Sequence, residues 1–174
     1  MSPLPVLNQS KSLEIVQRKE IAELFGFESR NKYEIYTNGA LFAYAAEQGK
    51  GVLDTLARWF FGHFRHFEIH FFDTERTPLL RAVHPLRFFF QRLDLYAADE
   101  RLIGSLQQRF AFASKRFDVL DASGQVLLTV SSPLWRPRTF SFCRGETERA
   151  RIEKRWAGGL TEFFFDADRF RVLF

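Results

Sequence analysis

The chain has 174 residues, of which 46% are hydrophobic and 26% charged, and its net charge is +4. This composition excludes a disordered or fibrous chain, and the length favours a single domain. The positive charge favours an anionic partner, such as nucleic acid, acidic lipid headgroups or an acidic protein, without choosing among them.

Aromatic residues dominate the apolar part of the chain. There are 22 phenylalanines and a single methionine, and many rings stand singly at alternating positions, which predicts a β-rich interior. The longest uninterrupted apolar run, Ala40 to Ala46, is far shorter than the roughly 18 residues of a membrane-spanning helix. The single cysteine, Cys143, excludes an intrachain disulfide and fits a reducing compartment.

The N-terminal part predicts an irregular lead-in over 1–12, followed by one domain over 13–174. We expect a short strand at 13–16 and a helix from about Arg18 to Phe25. Two strands follow at 32–36 and 40–47, and Asn38-Gly39 between them predicts a type I′ turn.

The remaining chain predicts a series of short strands. Residues 48–63 read as an insertion with one short amphipathic helix, because its apolar residues fall at helical spacing. Strands are predicted at 64–73, 77–84, 88–96, 101–108, 115–121, 124–131, 138–143, 149–156, 161–165 and 169–174. So many closely spaced strands indicate an antiparallel sandwich or barrel.

One four-residue pattern recurs at the start of three predicted hairpins. Each copy has a cation or histidine, an aromatic residue, an acid and a β-branched aliphatic residue, at 32–35, 66–69 and 116–119. The spacing between copies is uneven, so the pattern indicates similar hairpins and not a solenoid.

Residue patterns typical of catalysis and metal binding are weak. His66 and His70 would lie about 14 Å apart on a strand, too far to share one ion, and His63 adds no suitable partner. Asp166 and Asp168 have the opening spacing of a calcium loop, but its glycine and distal glutamate are missing. The residues alone favour an ordinary turn at 166–168. From the weakness of these patterns we expect a protein that is not an enzyme and needs no cofactor.

Two surface features suggest binding. The first is a set of cations that alternation would place partly on one strand face, as an attractor of phosphate: Arg136, Arg138, Arg149, Arg151, Lys154 and Arg155. The alternative is a solvated face neutralised by nearby glutamates. The second feature is a pair of aromatic runs, Trp59, Phe60 and Phe61, and Phe88, Phe89 and Phe90. Each run either packs against the insertion helix or contacts a bilayer interface.

The ordered set of motifs resembles the phospholipid scramblase family of the wider tubby-like (LURP-one-related) superfamily. The resemblance is carried by residues 26–35, by 154–158 and by 165–170, and it extends over about 13–174. It implies a closed barrel of about twelve antiparallel strands around a central, C-terminal apolar helix. It also implies binding of anionic phospholipid, transbilayer lipid movement and a calcium role for Asp166 and Asp168.

Two departures from the family pattern affect these expectations. The cysteine clusters of animal members are absent, and the sequence stops at Phe174, before the central helix. We therefore expect a helix or an acyl chain from outside the chain to occupy the barrel lumen. The expected location is the cytoplasmic side of a membrane, at its periphery. The competing hypotheses are a nucleic-acid or transcription-related binding module and a scaffold whose barrel accepts a partner helix.

Overall fold

The computed structural model describes residues 10–18, 29–48, 66–85, 87, 89–136, 138–155 and 169–174, with only the backbone of 29–31 and 155. These residues form twelve strands and no helix. The strands are β1 (Ser12–Arg18), β2 (Ser29–Thr37), β3 (Ala40–Gln48), β4 (Phe67–Phe72), β5 (Pro78–His84), β6 (Arg92–Ala97), β7 (Leu102–Arg109), β8 (Ser114–Asp121), β9 (Val126–Pro133), β10 (Thr139–Arg144), β11 (Thr147–Arg155) and β12 (Arg169–Leu173).

The strands form one closed antiparallel barrel. Each strand pairs with its neighbours in the sequence, and β1 pairs with β12 to close the sheet. The closing pair runs from Ser12 opposite Leu173 to Val16 opposite Arg169. The predicted twelve-strand antiparallel barrel is therefore confirmed, and closure leaves no open sheet edge among these strands.

The hairpin of β2 and β3 has the predicted turn. Asn38 and Gly39 have φ values of 50° and 78°, and positive φ at both central positions defines a type I′ turn. Thr37 faces Ala40 directly across this turn. The turn thereby fixes the register of the first hairpin.

Alternation gives the barrel an apolar inner face and a charged outer face. Ile35, Ala43 and Ala45 form a buried cluster, against which Ile15 and Phe71 pack. These residues lie in register across four neighbouring strands, so they share one face. The ion pairs of the same strands lie on the opposite face, which is therefore the outside of the barrel.

In the three copies of the recurring pattern, the acid pairs with an arginine of a neighbouring strand. The three pairs are Glu34 with Arg18 at 2.7 Å, Glu68 with Arg81 at 3.2 Å and Asp118 with Arg109 at 2.5 Å. The aromatic and aliphatic members of each copy lie on the inner face. The pattern thus specifies an apolar inner face and an outer ion pair at three places around the barrel.

The two ends of the barrel differ in their connections. At the turn end, short turns join the strands at 38–39, 73–77, 98–101, 122–125 and 145–146. At the opposite end, here called the loop end, the described connections cover 85–91, 110–113 and 134–138, with residues 86, 88 and 137 not described. The strands that flank 19–28, 49–65 and 156–168 also terminate at the loop end.

Some sequence-based expectations need correction. The predicted strand at 88–96 begins only at Arg92, because Phe89 and Phe90 form a bend in which Phe90 has a φ of 52°. Arg18, predicted to begin a helix, is the last residue of β1. The rest of that helix, the insertion helix over 48–63 and the predicted strand at 161–165 lie outside the described residues, apart from Gln48 in β3.

Candidate functional site

The predicted cations do not form one patch. Arg136 and Arg138 are exposed in the connection from β9 to β10, at the loop end. The amide of Lys154 donates to the carbonyl of Arg138 at 3.0 Å, which places this connection beside the end of β11. Arg155 is the last residue of β11, whereas Arg149 lies near the turn end, about 20 Å away along the strand.

Two of the cations have local partners. Arg151 contacts Glu148 at 2.8 Å and Glu153 at 3.7 Å. The hydrogen bond to Glu148 raises the pKa of Arg151 above its ordinary value, so the guanidinium stays charged and is paired with a carboxylate. Lys154 projects to the inner face, and its ammonium lies 5.8 Å from the centroid of the Phe170 ring. Arg151 and Lys154 thus already have partners within the barrel.

The arrangement across β11 and β12 adds residues that the sequence patterns did not single out. Arg169 lies directly opposite Arg155, and Arg109 lies directly opposite Arg116 in the pair of β7 and β8. Like charges in directly opposed positions destabilise a sheet. Asp118 offsets the second opposition by pairing with Arg109, whereas the described residues show no ion pair of Arg169.

These positions belong to a wider group of cationic residues, the cationic rim, at the loop end. Its members share that end of the barrel: Arg87, Arg109, Lys115, Arg116, Arg136, Arg138, Arg155 and Arg169. The carboxylates of Glu34, Asp94 and Asp118 near this end contact arginines of the outer face. The rim is therefore a cationic surface suited to an anionic partner.

At the turn end of the barrel, acidic residues outnumber cationic residues. Its turns and their flanking residues carry Asp73, Glu75, Asp99, Glu100, Asp121 and Glu146, against the cations Lys11, Arg76, Arg101 and Arg144. Three hydrogen bonds from the turn to the carboxylate of Asp121 illustrate how these acids stabilise the turns. The barrel thus has one cationic end and one end in which acids outnumber cations.

A second polar cluster lies on the outer face of β4 and β5. The Glu68 carboxylate is 3.2 Å from His66, 3.5 Å from His70 and 3.2 Å from Arg81, and Arg81 also contacts Glu100. The two histidines thus meet the same carboxylate. Across the described part of the chain, no group of three or more histidine, cysteine or acidic side chains is arranged to hold a metal.

A cavity of about 440 Å³ adjoins this cluster. It lies between the β4–β5 and β6–β7 turns and is lined by His70, Phe72, Pro78, Arg81 and Glu100, among others. Its position at the turn end separates it from the cationic rim. Its charged side chains already pair with one another, so we do not assign the candidate function to it.

The remaining predicted site residues are only partly described. Phe89 and Phe90 are exposed in the connection from β5 to β6, and their contact with a membrane stays a prediction. Trp59, Phe60, Phe61 and Phe88 lie outside the described residues, as do Asp166 and Asp168. The described ranges contain no helix that is long and apolar enough to cross a bilayer.

Comparison with known proteins agrees with the resemblance. The chain is 27% identical to human (Homo sapiens) phospholipid scramblase 1 over 191 residues, covering 98% of this chain and 58% of that protein. It is 26% identical to bovine (Bos taurus) phospholipid scramblase 2, covering 99% of this chain and 66% of the relative. The chain therefore spans only part of the relatives that it matches.

The family of the chain follows from a match to a family profile, since no structural relative is found. No solved structure matches the chain significantly. The sequence profile described as Scramblase matches residues 2–174. Because that match covers almost the whole chain, the protein belongs to the Scramblase family.

Proposed function

We propose that this member of the Scramblase family binds anionic phospholipid at the cytoplasmic face of a membrane and promotes phospholipid movement between the two leaflets. The family match over residues 2–174 supports this function, and so do relatives named phospholipid scramblases. On this proposal the protein performs no covalent chemistry on the lipid. The candidate calcium residues Asp166 and Asp168 lie outside the described residues, so no step is assigned to calcium.

The observation that carries the proposal is the opposition of Arg155 and Arg169 within the cationic rim. Arginines at directly opposed positions of a sheet destabilise it, and a lipid phosphate bound at this strand end would relieve that repulsion and accept charge-assisted hydrogen bonds. Each cation near an acidic membrane surface contributes about 1 kcal/mol of attraction. A rim of several cations therefore supplies enough attraction for salt-sensitive membrane binding.

We also propose that an apolar helix or acyl chain occupies the barrel lumen. The support is the limited burial of the inner face: Leu95, Leu106 and Phe142 are only half-buried, although they lie on the same face as the buried Ala82 and Val130. Apolar side chains that border open space lose contacts that a filled core would supply. Native mass spectrometry and lipid extraction of the purified protein test this point, and a ligand-free monomer with full stability would contradict it.

A cationic rim beside exposed aromatic rings also suits single-stranded nucleic acid, which such proteins bind by phosphate attraction and base stacking. We therefore compare both partners at the same salt concentration. The protein should sediment with vesicles that contain phosphatidylserine and not with vesicles of phosphatidylcholine alone. A gel shift with single-stranded DNA at equal salt, without vesicle binding, would favour nucleic acid instead.

Lipid movement needs its own measurement. The protein is reconstituted into vesicles that contain a fluorescent phospholipid, and dithionite then quenches the label in the outer leaflet. Lipid movement should increase the quenched fraction beyond the outer-leaflet half, with heat-denatured protein as the control. Vesicle binding without added quenching would support lipid binding and contradict lipid movement.

A further inference from the structure

Large apolar side chains stand exposed on three separate connections of the barrel. Phe89 is 82% exposed on the β5–β6 connection, Phe112 is 92% exposed on the β7–β8 connection, and Trp135 is 76% exposed on the β9–β10 connection. All three connections lie at the loop end. We call this set the apolar crown, and its members are Phe89, Phe90, Phe110, Phe112, Leu134 and Trp135.

The crown is held by hydrogen bonds of its backbone and its neighbours. The amide of Gln108 donates to the carbonyl of Gln91 at 2.8 Å, and the Gln107 side chain donates to the carbonyl of Phe90 at 3.2 Å. These bonds fasten the first connection to β7. The rings are therefore presented by an ordered backbone.

The other two connections are joined to each other. The amide of Leu134 donates to the carbonyl of Ala113 at 3.3 Å. Phe110 and Phe112 pack edge to face, with ring centroids 5.6 Å apart, and their outer surfaces remain in solvent. The crown thus groups six exposed apolar side chains on connections that are hydrogen-bonded to one another or to β7, in contrast to isolated exposed residues, which are common on soluble proteins.

The turn end provides an internal comparison. Its turns at 38–39, 73–77, 98–101, 122–125 and 145–146 contain no aromatic residue. The exposed apolar residues nearest to that end are Ile103, Val126 and Leu127, which lie within strands, and Phe174, which follows the last strand. Exposed aromatic rings on connections are thus a property of the loop end in the described part of the chain.

We propose that the apolar crown inserts into the interfacial region of an anionic membrane, so that the barrel stands with its loop end on the bilayer. This inference rests on the proposed lipid-binding function and adds the contact surface and the orientation. Members of the cationic rim lie next to the crown in the sequence: Arg87 is two residues before Phe89, Arg109 precedes Phe110, and Arg136 follows Trp135. Aromatic rings inserted beside cations match an interface with apolar chains below acidic headgroups.

Trp135 allows a direct test of insertion. Replacing the other two tryptophans, Trp59→Phe and Trp156→Phe, leaves Trp135 as the sole reporter. With vesicles of phosphatidylserine and phosphatidylcholine brominated on the acyl chain, its emission should shift to the blue and be quenched. The matched control removes Trp135 as well and adds Gln125→Trp at the turn end, where neither change is expected.

A second variant measures the contribution of the crown to binding. Phe110→Ala, Phe112→Ala and Trp135→Ala remove exposed rings, so circular dichroism should remain unchanged. Vesicle affinity should fall by about tenfold or more, because the burial of a single such ring already strengthens binding by about tenfold. Equal affinity of this variant and the unmodified chain would overturn the inference.

The outcomes separate this inference from the proposed function. If the unmodified chain does not sediment with phosphatidylserine vesicles, both fail. If it sediments while Trp135 is neither shifted nor quenched, lipid binding stands and the crown orientation is overturned. Concentration-dependent self-association that buries Trp135 and persists with vesicles would also overturn it, because a second copy of the chain would then cover the crown.

Discussion

Arg155 at the end of β11 lies directly opposite Arg169 at the start of β12. This register places two arginine positions side by side at the loop end, where Arg109 and Arg116 form a second opposed pair that Asp118 offsets. A sheet optimised for stability alone would place opposite charges at such positions. We therefore expect that the opposed arginines serve to bind an anionic partner, and that they lower the stability of the free barrel.

The first prediction is that Arg155→Glu stabilises the free protein. The change converts a repulsive opposition into an attractive one, so the free energy of unfolding should rise by about 0.2–1 kcal/mol. Chemical denaturation at low salt measures this difference, and added salt should reduce it. A lower stability of the variant would show that Arg155 already has a stabilising partner in the fold.

The turn between β2 and β3 gives the second prediction. Gly39 has a φ of 78°, which a β-branched residue adopts only with strain. Gly39→Val should therefore destabilise the barrel by more than about 1 kcal/mol. Gly39→Asn is the matched control, because asparagine tolerates this conformation, and equal melting temperatures of the two variants would contradict the account.

A close approach of two strands gives the third prediction. A Cβ atom built on Gly104 of β7 would overlap the backbone carbonyl oxygen of Leu120 in β8. Gly104→Ala must therefore move one strand, and the expected destabilisation is about 1–3 kcal/mol. Thr129→Ala, at an exposed position of β9, should change the unfolding free energy much less, and similar losses in both variants would refute the packing argument.

The fourth prediction concerns acid sensitivity. Desolvation lowers the pKa of His70 below its ordinary value of 6.5, against the opposing effect of the Glu68 carboxylate. The unfolded chain therefore binds this proton more readily than the folded chain does. The stability contribution of His70 is present above pH 6.5 and is lost as the pH falls through the lower, folded pKa.

Chemical denaturation at several pH values between about 7.5 and 5 tests this sign. The unmodified chain should lose more stability over this range than His70→Gln, which has no imidazole to protonate. Subtracting the loss of unfolding free energy in one chain from that in the other cancels the contribution of the carboxylates, which both chains share. A greater loss in His70→Gln would mean that protonated His70 stabilises the fold through Glu68.

Local sequence patterns predicted much of the barrel. The pattern of Lys32 to Ile35 contains its own alternation, and Asn38-Gly39 defines its turn, so hairpin and turn follow from neighbouring residues. The arginine partners of Glu34, Glu68 and Asp118 could not be predicted in this way, because strand register depends on bulges such as the one between Phe71 and Phe72.

The aromatic run at 88–90 shows where local patterns fail. Three consecutive rings suggested a strand, but the positive φ of Phe90 and its carbonyl contact with Gln107 take Phe89 and Phe90 out of β6.

The cationic surface was likewise predicted only in part. Strand alternation turns Lys154 inward, whereas Arg169 joins the rim through the pairing of β11 with β12, a contact between residues separated in the sequence.

The central claim is that the cationic rim binds anionic phospholipid, and charge reversal at matched positions tests it most directly. The test variant carries Arg116→Glu, Arg136→Glu and Arg155→Glu at the loop end. The control carries Arg76→Glu, Arg101→Glu and Arg144→Glu at the turn end, so both proteins have the same net charge.

Sedimentation with phosphatidylserine vesicles at low salt is the measurement, after circular dichroism has shown that both variants are folded. Three lost attractions of about 1 kcal/mol each predict that the rim variant binds at least about a hundredfold more weakly than the unmodified chain. The turn-end control should retain most of its binding. Equal losses in the two variants, or undiminished binding of the rim variant, would contradict the account.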